Sequence, residues 1–194
     1  MRNQHQHGGS VHRSTPLHTR VGNSRYRRLH LVDIENLICD HRPNTHLIRQ
    51  CQRRYLEIAR PQECDLVVVG CSHWMAKAIM FDWRGPRFVV RSGEDGADMA
   101  LLEVWEDLST STERFAEVLI ASGDHIFGPL ASEIARERTL VTVISRPEAL
   151  APNLRMAAGR ILSFDESVSG VPERIPKWSQ TGALKPHVGQ ILAI

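Results

Sequence analysis

From Leu29 onward, short runs of apolar and β-branched residues alternate with longer stretches whose apolar positions recur every three or four residues. The first pattern suits strands buried on both faces, and the second suits helices that turn one stripe inward. Strands are expected at 29–34, 65–71, 87–91, 117–121, 140–145 and 160–164, and helices at 45–59, 73–81, 95–108, 129–138 and 148–158. Pro129 and Pro147 stand near the starts of two of these helices, where a missing N–H costs no hydrogen bond. Regular alternation of strand and helix predicts an α/β fold, a single parallel-sheet domain with helices on both faces. Such sheets place ligands at the carboxyl edge of their strands, so chemistry is expected there.

A chain of 194 residues with 42% hydrophobic content suffices for one substantial core and is too short for two full-sized domains. The pattern divides it into a basic, disordered arm at 1–28, a body at 29–165 and a C-terminal tail at 166–194. In the tail the periodicity dissolves among Ser167, Gly170, Pro172, Pro176, Gly182 and Pro186. The longest apolar runs fall far short of the roughly 20 residues that cross a bilayer, and the first residues have no apolar stretch like that of a secretory signal. No membrane association and a cytoplasmic location are therefore expected. Cys39, Cys51, Cys64 and Cys71 contain no Cys-x-x-Cys pair, which favours reduced thiols over disulfides or a zinc site.

Charge adds a division that the hydropathy pattern lacks. Six arginines and no acid lie in 1–28, so a net charge of +2 for the whole chain leaves the remainder at −4. A basic arm suits a polyanion, because Lys and Arg displace condensed counterions from phosphates; a merely soluble leader is the plain alternative. His5, His7, His12 and His18 are irregularly spaced in a segment without a core and receive no role.

The carboxyl edge collects acids from separate connections. The first strand leads into Asp33, Glu35 and Asn36, the third into Glu94, Asp95 and Asp98, and the fourth into Ser122, Gly123 and Asp124. Close carboxylates repel unless a cation neutralises them, and hard oxygen donors select Mg²⁺ or Mn²⁺. Any single Asp after a strand is more often a helix cap or a turn residue, and Asp95 fits that role well. Asp98 does not, because Leu101, Leu102, Trp105 and Leu108 continue an inward stripe that it begins.

The segments Asp33-Ile34-Glu35-Asn36-Leu37, Gly96-Ala97-Asp98-Met99-Ala100-Leu101 and Ser122-Gly123-Asp124-His125-Ile126-Phe127-Gly128-Pro129-Leu130 resemble the three signature segments of NYN domains, in the PIN-like nuclease superfamily. The resemblance covers residues 29–164 and neither tail. It implies a Rossmann-like, PIN-like sheet sandwiched by helices, Mg²⁺ or Mn²⁺ as cofactor, and cleavage of RNA, and it carries to Asp33, Asn36, Asp98 and Asp124. One departure stands out: Ile126 occupies a position where many relatives have a second Asp, so an acid is lost or is supplied by Glu35, Glu94 or Asp95.

The expected activity is metal-dependent hydrolysis of RNA phosphodiester bonds, with Asp33, Asp98 and Asp124 as metal ligands and Asn36 orienting water or phosphate. Glu35 and Asp95 are possible additional acids. Ser122 is a candidate for hydrogen bonding to a ligand or phosphate, with turn stabilisation as its other role. Arg91 is either a phosphate clamp or an ion pair with Glu94. Trp74 opens an apolar helix and is expected in the core; stacking on an unpaired base is the alternative. The rival reading is an RNA-binding module with a weak or dead site, which Ile126 and the basic arm favour. A phosphatase would want Asp-x-Asp where Asp33-Ile34-Glu35 stands, and no Gly-x-x-x-x-Gly-Lys phosphate loop occurs. The oligomeric state is open, a homodimer included.

Overall fold

The computed structural model describes residues 27–40, 42–109 and 115–165. Its strands are β1 (Arg28–Asp33), β2 (Leu66–Cys71), β3 (Arg87–Val90), β4 (Glu117–Ala121), β5 (Leu140–Ser145) and β6 (Arg160–Ser163). The helices are α1 (Ile34–Ile38), α2 (Thr45–Ala59), α3 (His73–Asp82), α4 (Gly96–Ser109), α5 (Gly128–Arg136) and α6 (Pro152–Ala157). All strand pairings are parallel, in the order β3-β2-β1-β4-β5-β6. The chain moves outward from β1 through β2 to β3, then returns to place β4 on the other side of β1. A crevice opens at such a reversal, at the carboxyl ends of the two central strands.

Period-two alternation sends successive side chains of the strands to opposite faces. Val32, Val67, Val69 and Leu119 pack with α1, α2 and α3, while Leu31, Val68, Ile120 and Val143 pack with α4, α5 and α6. Helices therefore cover both faces, as the sequence predicts. Among the described residues no helix is long and apolar enough to cross a membrane.

Differences from the expected elements have local causes. The first strand stops at Asp33 rather than Ile34, because the Asp33 carboxylate accepts the backbone N–H of Asn36 at 3.1 Å and so caps α1. A five-residue helix is too short to leave a periodic signal, which is why α1 is not legible in the sequence. Asp65 precedes β2 instead of opening it; its carboxylate is held by Gln62 N, Arg28 N and the Arg28 guanidinium. The helix expected at 148–158 divides into a 3-10 turn at Pro147–Ala149 and α6, which starts at Pro152. Proline lacks the N–H that a continuous helix would need there.

The arm boundary at 28 also moves. Arg28 is the first residue of β1 and pairs with Asp65 at 2.7 Å, and the Arg27 guanidinium lies 5.6 Å from the centre of the Phe115 ring. Two of the six arginines thus belong to the body. The rest of the arm, and the tail from 166, lie outside the described residues.

Behind the sheet's amino edge sits a buried polar network. His30 Nε2 meets Asp65 Oδ2 at 3.3 Å and its Nδ1 meets the Tyr55 hydroxyl at 2.6 Å. Burial lowers the His30 pKa, which keeps the ring neutral, with Nε2–H donating to Asp65 and Nδ1 accepting from Tyr55.

Candidate active site

Asp33 ends β1 beside Gly70 of β2, and Ser122 follows β4 on the other side. The Ser122 hydroxyl donates to Asp33 Oδ2 at 3.0 Å and accepts from Asp124 N–H at 3.1 Å. Asn36 Oδ1 accepts the Gly123 N–H at 2.9 Å, which ties the first turn of α1 to the loop after β4. Asp124 Oδ1 accepts from Ile126 N at 2.9 Å and meets His125 Nδ1 at 2.9 Å. Glu35 Oε1 accepts the N–H of Ser72, the residue before α3, at 2.9 Å. These bonds stitch three strand-to-helix connections into one rigid edge.

The third acid arrives on α4. Gly70 lets that helix come close: a Cβ built there would lie 2.8 Å from Leu101 Cγ and 2.9 Å from the Ala97 carbonyl oxygen. The approach sets Asp98 over Asp33, which is the neighbour of Gly70 in the sheet. Asp33 is 3% exposed and Asp98 is 9% exposed. Burial, then the charge of Asp33, raises the Asp98 carboxyl to about 9, with Asp124 and Asp95 adding to the effect. Burial likewise raises Asp33, against the hydrogen bonds from Asn36, Asp98 and Ser122 that favour its ionised form. Two buried carboxyls in contact hold one proton between them at neutral pH.

One polar atom of this pair is orphaned: Asp98 Oδ1 is buried and accepts no hydrogen bond. An unpaired carboxylate oxygen inside a protein is costly, and a cation resolves both the missing partner and the repulsion. The donor set of carboxylate oxygens fits Mg²⁺ or Mn²⁺. Among the described residues no group of three or more His, Cys, Asp or Glu side chains is drawn together closely enough to hold a metal ion. The close contact is Asp33 with Asp98, and Asp124 acts on it through space.

All three acids line an open cavity of about 540 Å³, with Glu35, Asn36 and Asp95 also in its wall. Asp95 adopts φ 53°, in the left-handed region, rather than the extended backbone typical of a capping residue. Ile126 packs against the core on the α4–α5–α6 side, so no acid enters the cavity from that position.

The structure selects between two expected roles at Ser122 and departs from expectation at Arg91 and Trp74. Ser122 is fully buried and is absent from the cavity wall; its hydroxyl takes the structural one of its two expected roles, joining Asp33 to the Asp124 backbone. Arg91 pairs with Glu103 of α4, rather than Glu94, at 2.5 Å and also stays out of the cavity. A helix residue supplies a better-placed partner for it than the adjacent turn does. Trp74 is 60% exposed and forms part of the cavity wall, where a core position was expected; the inward side of α3 is already filled by Met75, Ala76 and Ile79.

Arg146 escaped the sequence reading. It follows β5 at the same edge and is the cation in the cavity wall among the described residues. Its Nε is buried without a hydrogen-bond partner, and Nη1 lies 3.3 Å from Glu148. The available signal was the one used for the acids, a polar residue directly after an apolar strand, applied to a base.

No family model matches the sequence, and no curated protein matches it either. Among solved structures, the chain is similar to a protein of unknown function from Vibrio parahaemolyticus, with TM-score 0.50 and 17% identity over 74% of this chain and 96% of that one. A likeness at that identity extends to the fold.

Proposed function

We propose that this chain is a Mg²⁺- or Mn²⁺-dependent ribonuclease acting at the carboxyl edge between β1 and β4. The observation that carries the reading is the buried Asp33–Asp98 pair, with Asp98 Oδ1 orphaned and the Asp98 carboxyl strongly raised. Perturbed carboxyls gathered in a cleft are typical of functional sites rather than of load on a core. The NYN-like segments support the reading from the sequence side, since Asp33, Asp98 and Asp124 fall in separate segments and share one cavity. The acidic first turn of α1 argues against a nucleotide diphosphate at this crevice, because Asp33 and Glu35 stand where a glycine-rich turn would cradle phosphates.

In this proposal Asp33, Asp98 and Asp124 hold the cation, which when bound supplies Lewis acidity toward the phosphodiester and its attacking water. Ser122 keeps Asp33 and Asp124 in register through its two hydrogen bonds. Asn36 positions the Gly123 backbone, and with it the turn that carries Asp124. Arg146, rather than Arg91, takes the phosphate-contacting role, since it lines the cavity with the acids. No side-chain nucleophile is needed. A cytoplasmic location belongs to the same proposal.

The test is incubation of an end-labelled unstructured RNA with Mg²⁺, with Mn²⁺ and with EDTA. Cleavage should need the metal and should fall by at least about a hundredfold in Asp33→Asn and Asp124→Asn. Cleavage that persists in EDTA, or survives both substitutions, refutes the mechanism. The second reading, RNA binding without cleavage, is favoured by the packing of Ile126 into the core; binding with no product under either metal would select it.

A further inference from the structure

A cavity walled by acids repels the polyanion it is proposed to cut, so the strand needs an approach of opposite character. The outer face of α3 has that character. It begins at Trp74 in the cavity wall and continues through Lys77 to Phe81, which is 81% exposed. A helix turns about 100° and rises about 1.5 Å per residue, so the step from Trp74 to Phe81 returns to the same face about 10 Å further along. Met80, also exposed, widens the strip. Because Met75, Ala76 and Ile79 fill the core from the opposite side, α3 is apolar on both faces. A helix of that kind normally has both faces covered.

Charge selects the occupant. Lys77 on the strip, and Arg84 and Arg87 just past the helix, are exposed and form no ion pair among the described residues. The carboxylate of α3, Asp82, is neutralised by Arg49 at 2.8 Å. Exposed aromatic rings interleaved with cations, and leading into a cavity, match the way single strands are bound: bases stack on the rings while cations track the phosphates. A protein partner would use the rings but has no need of the cations or of the continuity with the cavity.

We propose that the outer face of α3 is the approach track of single-stranded RNA, with unpaired bases on Trp74 and Phe81 and phosphates at Lys77 and Arg84. The track rests on the ribonuclease reading for its destination, but its test is binding and not cleavage. Affinity for a fluorescent unstructured oligoribonucleotide, measured by anisotropy in EDTA at low salt, should fall roughly tenfold in Trp74→Ala and again in Phe81→Ala. Lys77→Ala should flatten the slope of log K against log salt by about 0.7. Both rings are exposed, so melting temperatures should stay at the wild-type value. Duplex RNA, which hides its base faces, should be bound without dependence on either ring.

Unchanged affinity in both ring variants overturns the track, as does equal loss on duplex, or no binding by the wild type. Self-association of the wild type that Phe81→Ala abolishes, with RNA affinity intact, would assign the strip to a protein contact and overturn it too. RNA bound through the rings yet uncut under Mg²⁺ and Mn²⁺ leaves the track standing and removes the nuclease reading. Cleavage with both ring variants binding normally does the reverse.

Discussion

Neutralising Asp98 should stabilise the metal-free protein, and the sign of that effect separates a ligand from a helix cap. With the Asp98 carboxyl raised to about 9 from an ordinary 3.8, the folded state at pH 7 holds a proton that the unfolded chain has released. At about 1.4 kcal/mol per pH unit, the resulting penalty has an upper bound of about 4 kcal/mol. Asp98→Asn keeps the shape, removes the charge, and gives Asp33 a possible amide donor. Water in the open cavity and side-chain relaxation reduce the gain to on the order of 1–2 kcal/mol. For a domain of this size each kcal/mol raises Tm by roughly 2–4 °C. A charge that merely complemented the start of α4 would act oppositely: removing it would cost about 0.3–1 kcal/mol.

The assay is thermal unfolding of both proteins in EDTA across pH 5 to about 8.5, repeated with Mg²⁺. Because the folded-state pKa of Asp98 is raised, its contribution to stability declines as pH rises from about 4 toward about 9. That decline should be missing in Asp98→Asn, so the variant's advantage should grow with pH. His30 works in the other direction in both proteins and cancels in the difference. Mg²⁺ at a hundredfold excess over its dissociation constant should stabilise the wild type by about 2.7 kcal/mol and the variant much less. A lower Tm for metal-free Asp98→Asn, with an undiminished Mg²⁺ shift, would refute the reasoning and return Asp98 to the helix caps.

Gly70→Ala should cost about 1–3 kcal/mol in chemical denaturation, since its Cβ meets Leu101 and Ala97 and α4 must shift. The same shift should separate Asp98 from Asp33 and weaken the pH slope; a slope equal to wild type would show the close approach to be irrelevant to the pair. Arg146→Ala should raise the KM for RNA more than it lowers kcat and reduce the salt slope by about 0.7, with partial rescue in Arg146→Lys; an unchanged salt slope removes Arg146 from the phosphate. Tyr55→Phe should destabilise by about 1–3 kcal/mol at pH 7.5, because His30 Nδ1 loses its buried partner. Since the folded-state pKa of His30 is lowered, wild-type stability from this group is full above about 6.5 and is lost as pH falls below it. Asp65, held below the usual carboxylate range by His30, Gln62 and Arg28 despite its burial, adds a further loss as pH falls below about 4. Wild-type stability that fails to fall between pH 7 and pH 5 after the Asp98 contribution is subtracted would contradict the His30 assignment.

The apolar runs from Leu29, Leu66, Glu117 and Leu140 determined the strands locally, because a strand buried on both faces has few polar positions to confuse the pattern. That periodicity, with parallel pairing, was enough to bring Asp33 and Asp124 to one edge and to mark Asp98 as inward-facing. What no local pattern contains is which neighbour a side chain finds. Arg91 is four residues from Asp95 and three from Glu94, yet it pairs with Glu103, about two turns into α4. Ser122 has the composition of a ligand-binding residue and is instead enclosed between two acids. The order β3-β2-β1-β4 decides that the crevice opens beside Asp33, and the absence of a side chain at Gly70 decides how near α4 brings Asp98. Trp74 faces outward because three smaller apolar residues of α3 already fill the space beneath it. Elements follow from short-range sterics and burial, whereas partners and pKa values depend on distances between residues far apart in the chain, and only the packed sheet sets those.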